Sequence, residues 1–417
     1  MACPASPLSF AEHWNGRPTV AVIDLDVLTT NVHAIRSIIG PHVRLMMAVK
    51  GNGYGHGAVP VSKAALAAGV DELAVATVDE GVQLREAGIK ATVLVMGPMG
   101  TVERTRALGS NLAIVVSDAS FAHALAADAK MMMRKEPVSV HLKIDTGMNR
   151  FGVSPELAVE TAQAIASHPE LRLDGVMTHM ASADNPNPLC THEQNQVFDR
   201  AVAAIHAAGI ETLSLHVANS ATTLHFPEYH RGRVRVGVAI YGLRPDINFP
   251  LPGPMKPILT VHSRISRIHT IHPSDGVSYG LTYVADHDEP VGLVPLGYAD
   301  GYQRTLSSRT WMGIHGARAE QIGRICMDQT IVRLPTGDDV SPGDIITVVG
   351  NGSDATNPAP TFDDLARIAN TISYDMSCGL TARVPRLYVR GGEVVAIADL
   401  SGYRELVPAT TASSAVT

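Results

Sequence analysis

Residues 44–77 read RLMMAVKGNGYGHGAVPVSKAALAAGVDELAVAT, and this stretch decides the fold class. It opens on an apolar extended run, Arg44–Lys50, breaks in a glycine-rich loop over 51–57, and then changes period. From Ala58 to Gly69 apolar residues recur at helical spacing up to a glycine stop, after which Leu73–Thr77 is extended again. Strand, helix and next strand in so short a span make a β-α-β unit.

Working outward, the alternation persists. Strand-like runs follow at Ala91–Gly97, Leu112–Val116, Val138–Ile144, Leu173–Met180, Leu213–Val217 and Val234–Tyr241. Helical segments lie between them, such as Pro155–His168, where Ser154 is placed as N-cap and Pro155 opens the first turn. Eight such units in about 200 residues predict an α/β fold of the closed (β/α)8 TIM-barrel type rather than an open doubly wound sheet. No Gly-x-Gly-x-x-Gly leads from the first strand into a helix, which weakens a dinucleotide-binding reading further. The strands read as continuous apolar runs, as parallel strands covered on both faces should.

Past Pro254 the texture changes. Ile258–Ile271, Val291–Leu296, Arg333–Leu334 with their neighbours, Ile345–Val349 and Arg386–Ile397 are strand-like and separated by turn residues, and only Phe362–Thr371 reads clearly as a helix. The expected organisation is an N-terminal extension (1–18), the barrel (19–255, its first strand free to pack with the C-terminal part), a mostly β C-terminal domain (256–403) and a small, polar, disordered tail (404–417).

The chain has 417 residues, 45% hydrophobic and 18% charged, with a net charge of −7. That composition supports a large core and excludes wholesale disorder. With no basic block it argues against nucleic acid as a partner. Four cysteines, Cys3, Cys190, Cys326 and Cys378, stand far apart with no CxxC pair, so neither a disulfide framework nor a thiolate metal site is expected. Among 18 histidines no HxxxH pair sits on a convincing helix, and no metal is expected. No apolar run reaches the ~20 residues of a membrane span, and the start lacks a secretory pattern, so the expected location is the cytoplasm.

In such a barrel, chemistry gathers past the C-terminal ends of the strands. Lys50 closes the first barrel strand; a lysine at an apolar mouth is desolvated, which lowers its pKa and frees the amine for Schiff-base chemistry. Taken alone, it reads more readily as a surface lysine opening a glycine-rich loop. The other strand ends supply Lys143, Asp145 and Arg150, then Thr178 and His179, then His216, Asn219 and Ser220, and finally Arg235 and Gly237. Loops after strands seven and eight are the recurrent phosphate seat of these barrels, and Ser220 is placed as an N-cap there. A Schiff-base lysine, a phosphate seat and an arginine facing a ring point together to pyridoxal phosphate.

At this point the sequence resembles a known family. AVKGNGYGHG (48–57) resembles the cofactor-attachment motif of alanine racemases, pyridoxal-phosphate enzymes of fold type III. KIDTGMNRFG (143–152), THMASAD (178–184), HVANSA (216–221), RVGVAIYG (235–242), VSYG (277–280), GYADG (297–301), GRICMDQ (323–329) and RVPR (383–386) follow in family order. One departure is Gly51, where the family usually carries alanine; losing that methyl is expected to loosen the loop slightly.

The resemblance implies roles. Lys50 would hold the cofactor and act as one acid/base, with Tyr279 as the other. Tyr54, Ser220, Gly237, Val238 and Tyr374 would bind the phosphate, with Asn219 nearby. Arg150 would contact the cofactor's phenolic oxygen and the substrate carboxylate, and Met327 would complete the substrate site. Lys143 matches a lysine carbamylated in many members; unmodified and paired with Asp145 is the other reading. Tyr279, His179 and Arg235 would form a hydrogen-bonded chain whose cationic end disfavours a second proton on the histidine. Members are homodimers in which Tyr279 and Met327 reach the partner's site. The implied reaction is interconversion of L- and D-alanine, supplying D-alanine for peptidoglycan. A racemase of serine or broader specificity, and a pyridoxal-phosphate carrier protein, are the alternatives.

Overall fold

Side chains along the barrel strands alternate between two environments, and this places the site. The computed structural model describes residues 14–337, 339–352 and 356–406. Eight parallel strands, β2 (Arg44–Ala48), β3 (Glu72–Val75), β4 (Thr92–Val95), β5 (Ala113–Val116), β6 (Val138–Lys143), β7 (Leu171–Met177), β8 (Leu215–His216) and β9 (Arg233–Val236), pair in the order β8-β7-β6-β5-β4-β3-β2-β9. The Arg235 N–H donates to the Ala218 carbonyl at 2.9 Å and draws β9 against the segment after β8, so the barrel is nearly closed.

Outward-facing residues such as Leu45, Met47, Leu73, Val75, Val140, Leu142, Val234 and Val236 join the main apolar core beneath the helices. The inward set is divided. Met46, Ala74, Leu94, Ala113, Val115 and Met177 form a small apolar cluster of their own. Glu72, His141, His216, Arg233 and Arg235 are also buried and share their strands' inward parity. The expectation of uniformly apolar strands therefore holds for the outer face only.

Strand ends also differ from the sequence reading. β2 stops at Ala48, so Lys50 lies just beyond it in a turn, and β9 stops at Val236 because Gly237 bends the chain into a 3-10 turn, Val238–Tyr241. Helix starts follow local capping. Thr77 and Glu80 form a reciprocal capping box for the helix after β3, and Asp118 caps the one after β5. Ser154 makes no side-chain cap; Pro155–Leu157 forms a 3-10 turn before the helix Ala158–Ala166.

The second sheet has eleven strands. Adjacent within it are β10 (Leu259–Arg264), β1 (Val20–Asp24) and β19 (Arg386–Arg390), with β1 antiparallel to the first and parallel to the second. The N-terminal strand thus belongs to the C-terminal sheet while the helix that follows it, α1 (Leu25–Ile39), packs in the barrel core. Asp24 caps α1 through the N–H groups of Asp26 and Val27 at 2.9 Å. Trp311–Ile314, Ala317–Gln321 and the short helix Ser373–Cys378 were not anticipated. The last strand, Gly402–Glu405, pairs with Glu393–Asp399 and carries order past the expected start of the tail at 404, because its backbone groups find a sheet edge. Residues 407–417, and the first 13 of the expected extension, lie outside the described residues.

Ile23 on β1 is fully buried between Leu259 and Tyr388. Ile23→Ala is expected to destabilise the protein by about 2–5 kcal/mol, read as a lower urea midpoint.

Candidate functional site

The turn that carries Lys50 is wound the wrong way. Gly51, Asn52 and Gly53 have φ of 62°, 53° and 62°, and Tyr54 follows at 53°, giving one turn of left-handed helix. Each non-glycine residue there costs about 1–2 kcal/mol, so glycine at 51 and 53 relieves strain. Gly51 is better described as fitting this turn than as loosening it. The turn is held from several sides. Glu80 Oε1 accepts from the Gly51 N–H at 2.6 Å, and Asn52 Oδ1 accepts from the Ala58 N–H at 3.0 Å. From the C-terminal domain Ser377 Oγ donates to the Tyr54 carbonyl at 3.0 Å and Arg386 Nε to the Gly55 carbonyl at 3.1 Å. His56 hydrogen-bonds the turn's own carbonyls and packs on Tyr241.

Above the barrel mouth is a cavity of about 300 Å³ whose lining includes Lys50, Tyr54, Arg150, His179, Arg235 and Tyr374. Asn219, Ser220, Gly237 and Val238 line it too. Burial, then the charge of Arg150, lowers the pKa of Lys50. Neither the Lys50 ammonium nor the Arg150 guanidinium has a hydrogen bond or ion pair among the described residues, so both are available to an anionic ligand. Lys143 is buried beneath them, 5.2 Å from the centre of the Phe151 ring. Its amine is pushed down to about 8 by burial and then by Arg235 and Arg150. Asp145 spends its carboxylate on the N–H groups of Gly147, Asn149 and Arg150 rather than on Lys143.

One end of the cavity is built for a phosphate-sized group. Asn219, not Ser220, is the N-cap of the helix Ser220–His225, since its side chain accepts from the Thr222 N–H at 3.0 Å. That leaves Ser220 Oγ to accept from the Gly237 and Ala239 N–H groups at 3.0 and 3.4 Å. A Cβ on Gly237 would stand 2.5 Å from Tyr54 Oη, so the missing side chain is what lets the phenol in. Tyr54 Oη has no hydrogen-bond partner among the described residues, although burial drives its pKa well up. Tyr374 Oη reaches the Pro245 carbonyl at 3.5 Å.

Arg235 lies on the barrel axis. Its Nη2 donates to the Thr178 carbonyl at 2.6 Å and to His179 Nδ1 at 3.3 Å; its Nη1 donates to the His216 carbonyl at 2.7 Å and to His216 Nδ1 at 3.1 Å. Burial, then Arg233, lowers its pKa to about 9, which leaves it charged at neutrality. His179 is held well below its ordinary pKa, first by burial and then by Arg235. The sequence places His216 at a strand end and assigns it no role. The signal for it was the inward parity it shares with Arg235.

Tyr279 and Met327 stand elsewhere. They line a separate depression with Ser278, Cys326, Asp328 and Gln329, none of which borders the Lys50 cavity. Tyr279 is 72% exposed and Met327 51%, beside exposed Leu281 and Val284. Within one chain Tyr279 therefore does not meet His179.

Two family models match consecutive parts of the chain: the alanine racemase N-terminal domain over 23–245 and the alanine racemase C-terminal domain over 258–388. The alanine racemase of Nostoc sp. is 39% identical over 377 residues, 90% of this chain and 97% of that protein. The one from Symbiobacterium thermophilum is likewise 39% identical, over 90% of this chain and 98% of its own. Among solved structures, alanine racemase from Bacillus anthracis with bound L-Ala-P superimposes with a TM-score of 0.85 at 33% identity, covering 92% of this chain and 98% of that one.

The turn makes a paired prediction. Gly51→Ala is expected to cost about 1 kcal/mol. Gly55→Ala would put a Cβ 2.0 Å from the Ser377 carbonyl oxygen and is expected to cost about 3 kcal/mol or more. Thermal unfolding of the two variants should rank them in that order.

Proposed function

The chain belongs to the alanine racemase family, and from that premise we propose how it works: an isomerase that interconverts L- and D-alanine with pyridoxal 5′-phosphate and two bases. The cavity fits that cofactor. A partnerless tyrosine hydroxyl, a hydroxyl gathering two backbone N–H groups and two partnerless cations suit a phosphorylated, carboxylate-bearing ligand. Tyr54, Ser220, Gly237, Val238 and Tyr374 would hold the phosphate, with Asn219 ordering their loop. When bound, the cofactor supplies an electron-withdrawing ring that acidifies the substrate Cα–H. Arg235, which only donates, would face its ring nitrogen and would leave that nitrogen without a proton.

Racemisation needs a proton taken from one face of Cα and returned on the other, so two bases on opposite faces are the direct solution. Lys50 serves one face; its lowered pKa raises the neutral fraction near pH 7, where general-base catalysis needs it. Tyr279 serves the other. Its exposure on an apolar surface, away from its own chain's cavity, supports a second copy of the chain carrying it to the partner's cavity with Met327. Arg150 binds the substrate carboxylate. Lys143, its amine neutral in part at pH 7, takes up CO2 to form an N–C bond and release a proton, and the carbamate orients Arg150. No described helix is long and apolar enough to cross a membrane. We place the enzyme in the cytoplasm, supplying D-alanine for peptidoglycan.

The observation that carries this reading is the meeting of Lys50, Arg150 and Arg235 in one cavity, with no carboxylate among the described residues paired to any of them. Chiral chromatography of L-alanine and D-alanine incubated with the protein tests it. Interconversion without CO2 release is expected, with borohydride-treated protein carrying the cofactor's mass on the peptide of Lys50. Lys50→Ala is expected to abolish interconversion, and Tyr279→Phe to lower it by about 10²–10⁴-fold. Full activity in Lys50→Ala contradicts the assignment.

A further inference from the structure

The chain of contacts at Arg235 continues to the far end of the barrel. His216 Nε2 meets His141 Nδ1 at 2.9 Å, and Arg233 Nη1 reaches the same His141 nitrogen at 3.5 Å. Arg233 in turn is paired with Glu72, Nε to Oε2 at 2.7 Å and Nη2 to Oε1 at 3.1 Å. Glu72 also takes Arg44 Nη2 at 3.0 Å, and Arg44 is 54% exposed on the barrel floor. The line His179–Arg235–His216–His141–Arg233–Glu72–Arg44 thus crosses the barrel from mouth to floor, and Glu72 itself is only 2% exposed.

Donor chemistry fixes the direction of every link. Arginine only donates, so His141 Nδ1, facing Arg233, carries no hydrogen and the hydrogen of that ring sits on Nε2. The bond between the two histidines then needs hydrogen on His216 Nε2, which leaves His216 Nδ1 bare for Arg235 Nη1. At the mouth, Arg235 Nη2 occupies His179 Nδ1 and leaves His179 with an Nε2–H. All three rings are neutral. The local backbone is shaped around this contact: at the β6–β7 ladder His141 pairs with Gly175 after a register shift that skips Asp174. A Cβ on Gly175 would stand 2.5 Å from His141 Nδ1 and 3.0 Å from His216 Nε2.

We propose that Glu72, Arg233 and His141 are positioning residues for proton transfer: from the barrel floor they hold His216 in place to accept from Arg235, the group that presents His179 at the mouth as a donor only. This rests on the racemase reading above. A histidine that can only donate stabilises a tyrosine oxygen beside it in its ionised form and takes no proton from it. Glu72 offsets Arg233, so that two buried guanidinium groups coexist in one barrel.

The charged and titratable groups facing the line are few. Lys143 on β6 and Lys50 and Arg150 lie above it. Asp174 on β7 is held by Arg172 at 2.6 and 2.8 Å. Asp71 beside Glu72 is engaged by Arg36 and by the Leu45 N–H.

Two variants and one spectrum test the proposal. In long-range 1H–15N spectra of wild-type protein labelled at histidine nitrogen, His141, His179 and His216 should all appear as neutral Nε2–H rings from about pH 6 to pH 9. Gly175→Ala changes no titratable group; it should displace the His216 ring from Arg235, read as a shift of its ring-nitrogen resonances, and lower kcat for racemisation on the order of tenfold with KM little changed. Glu72→Gln removes one negative charge, so the surroundings become more positive and the phenolate is favoured. The limb of the kcat/KM profile belonging to the tyrosine should move to lower pH by on the order of half a unit, and Glu72→Asp should restore it.

An Nδ1–H or protonated His216 at neutral pH overturns the proposal. So does a loss of thermal stability in both variants with the histidine ring-nitrogen resonances and the pH profile unmoved, which would mark these residues as structural only. If Glu72→Gln does not fold, the wild-type spectra and Gly175→Ala decide. A wild-type protein that does not racemise alanine would end the racemase reading, while the spectra still judge the relay.

Discussion

A guanidinium that is charged at neutral pH, Arg235, is buried at the axis of the barrel with no carboxylate partner among the described residues, and much of the site is arranged around it. A buried ion costs several kcal/mol unless its hydrogen bonds are supplied by fixed dipoles. Here they come from the carbonyls of Thr178 and His216 and the rings of His179 and His216. Burial, then the same charge, keeps those rings neutral, and the charge obliges the barrel interior to be polar on the side of β6, β8 and β9. Apolar packing of the interior is left to the opposite side, around Met46, Leu94 and Val115.

The second constraint is conformational. The lysine at the mouth is carried by a left-handed turn that an isolated chain would not adopt, and the turn persists because the C-terminal domain holds it. Ser377 and Arg386 fasten the carbonyls of Tyr54 and Gly55, and Arg386 is itself fixed by the carbonyls of Leu380, Thr381 and Val384. β1, threaded between β10 and β19, ties that domain to the barrel helix that follows it. The mostly β domain is therefore part of the site's framework as well as the bearer of Tyr279.

Most of the barrel was legible because its outer face is apolar at every strand, and that face generates the hydrophobic runs. The inner face was not. Arg233, Arg235, His141 and His216 alternate with valine and leucine, and period-two patterns of that kind are masked by their apolar neighbours. Strand limits were overrun at Lys50 and Val238 because glycines at 51 and 237 act through backbone angles and close approach, which composition does not record. The Asn219 cap was missed for a similar reason, since asparagine and serine cap equally well and only geometry chooses between them. Lys50, Arg150 and Ser220 were legible from their places after strands, and the cavity brings them together.

In the proposed dimer each site takes Lys50 from one chain and Tyr279 from another. Mixing Lys50→Ala with Tyr279→Phe chains under conditions that exchange subunits tests it most directly. Half of the resulting dimers would carry both kinds of chain, and one of their two sites would regain both bases. Activity should rise from near zero to about a quarter of the wild-type value. A mixture that stays as inactive as its parents after proven exchange would contradict the claim.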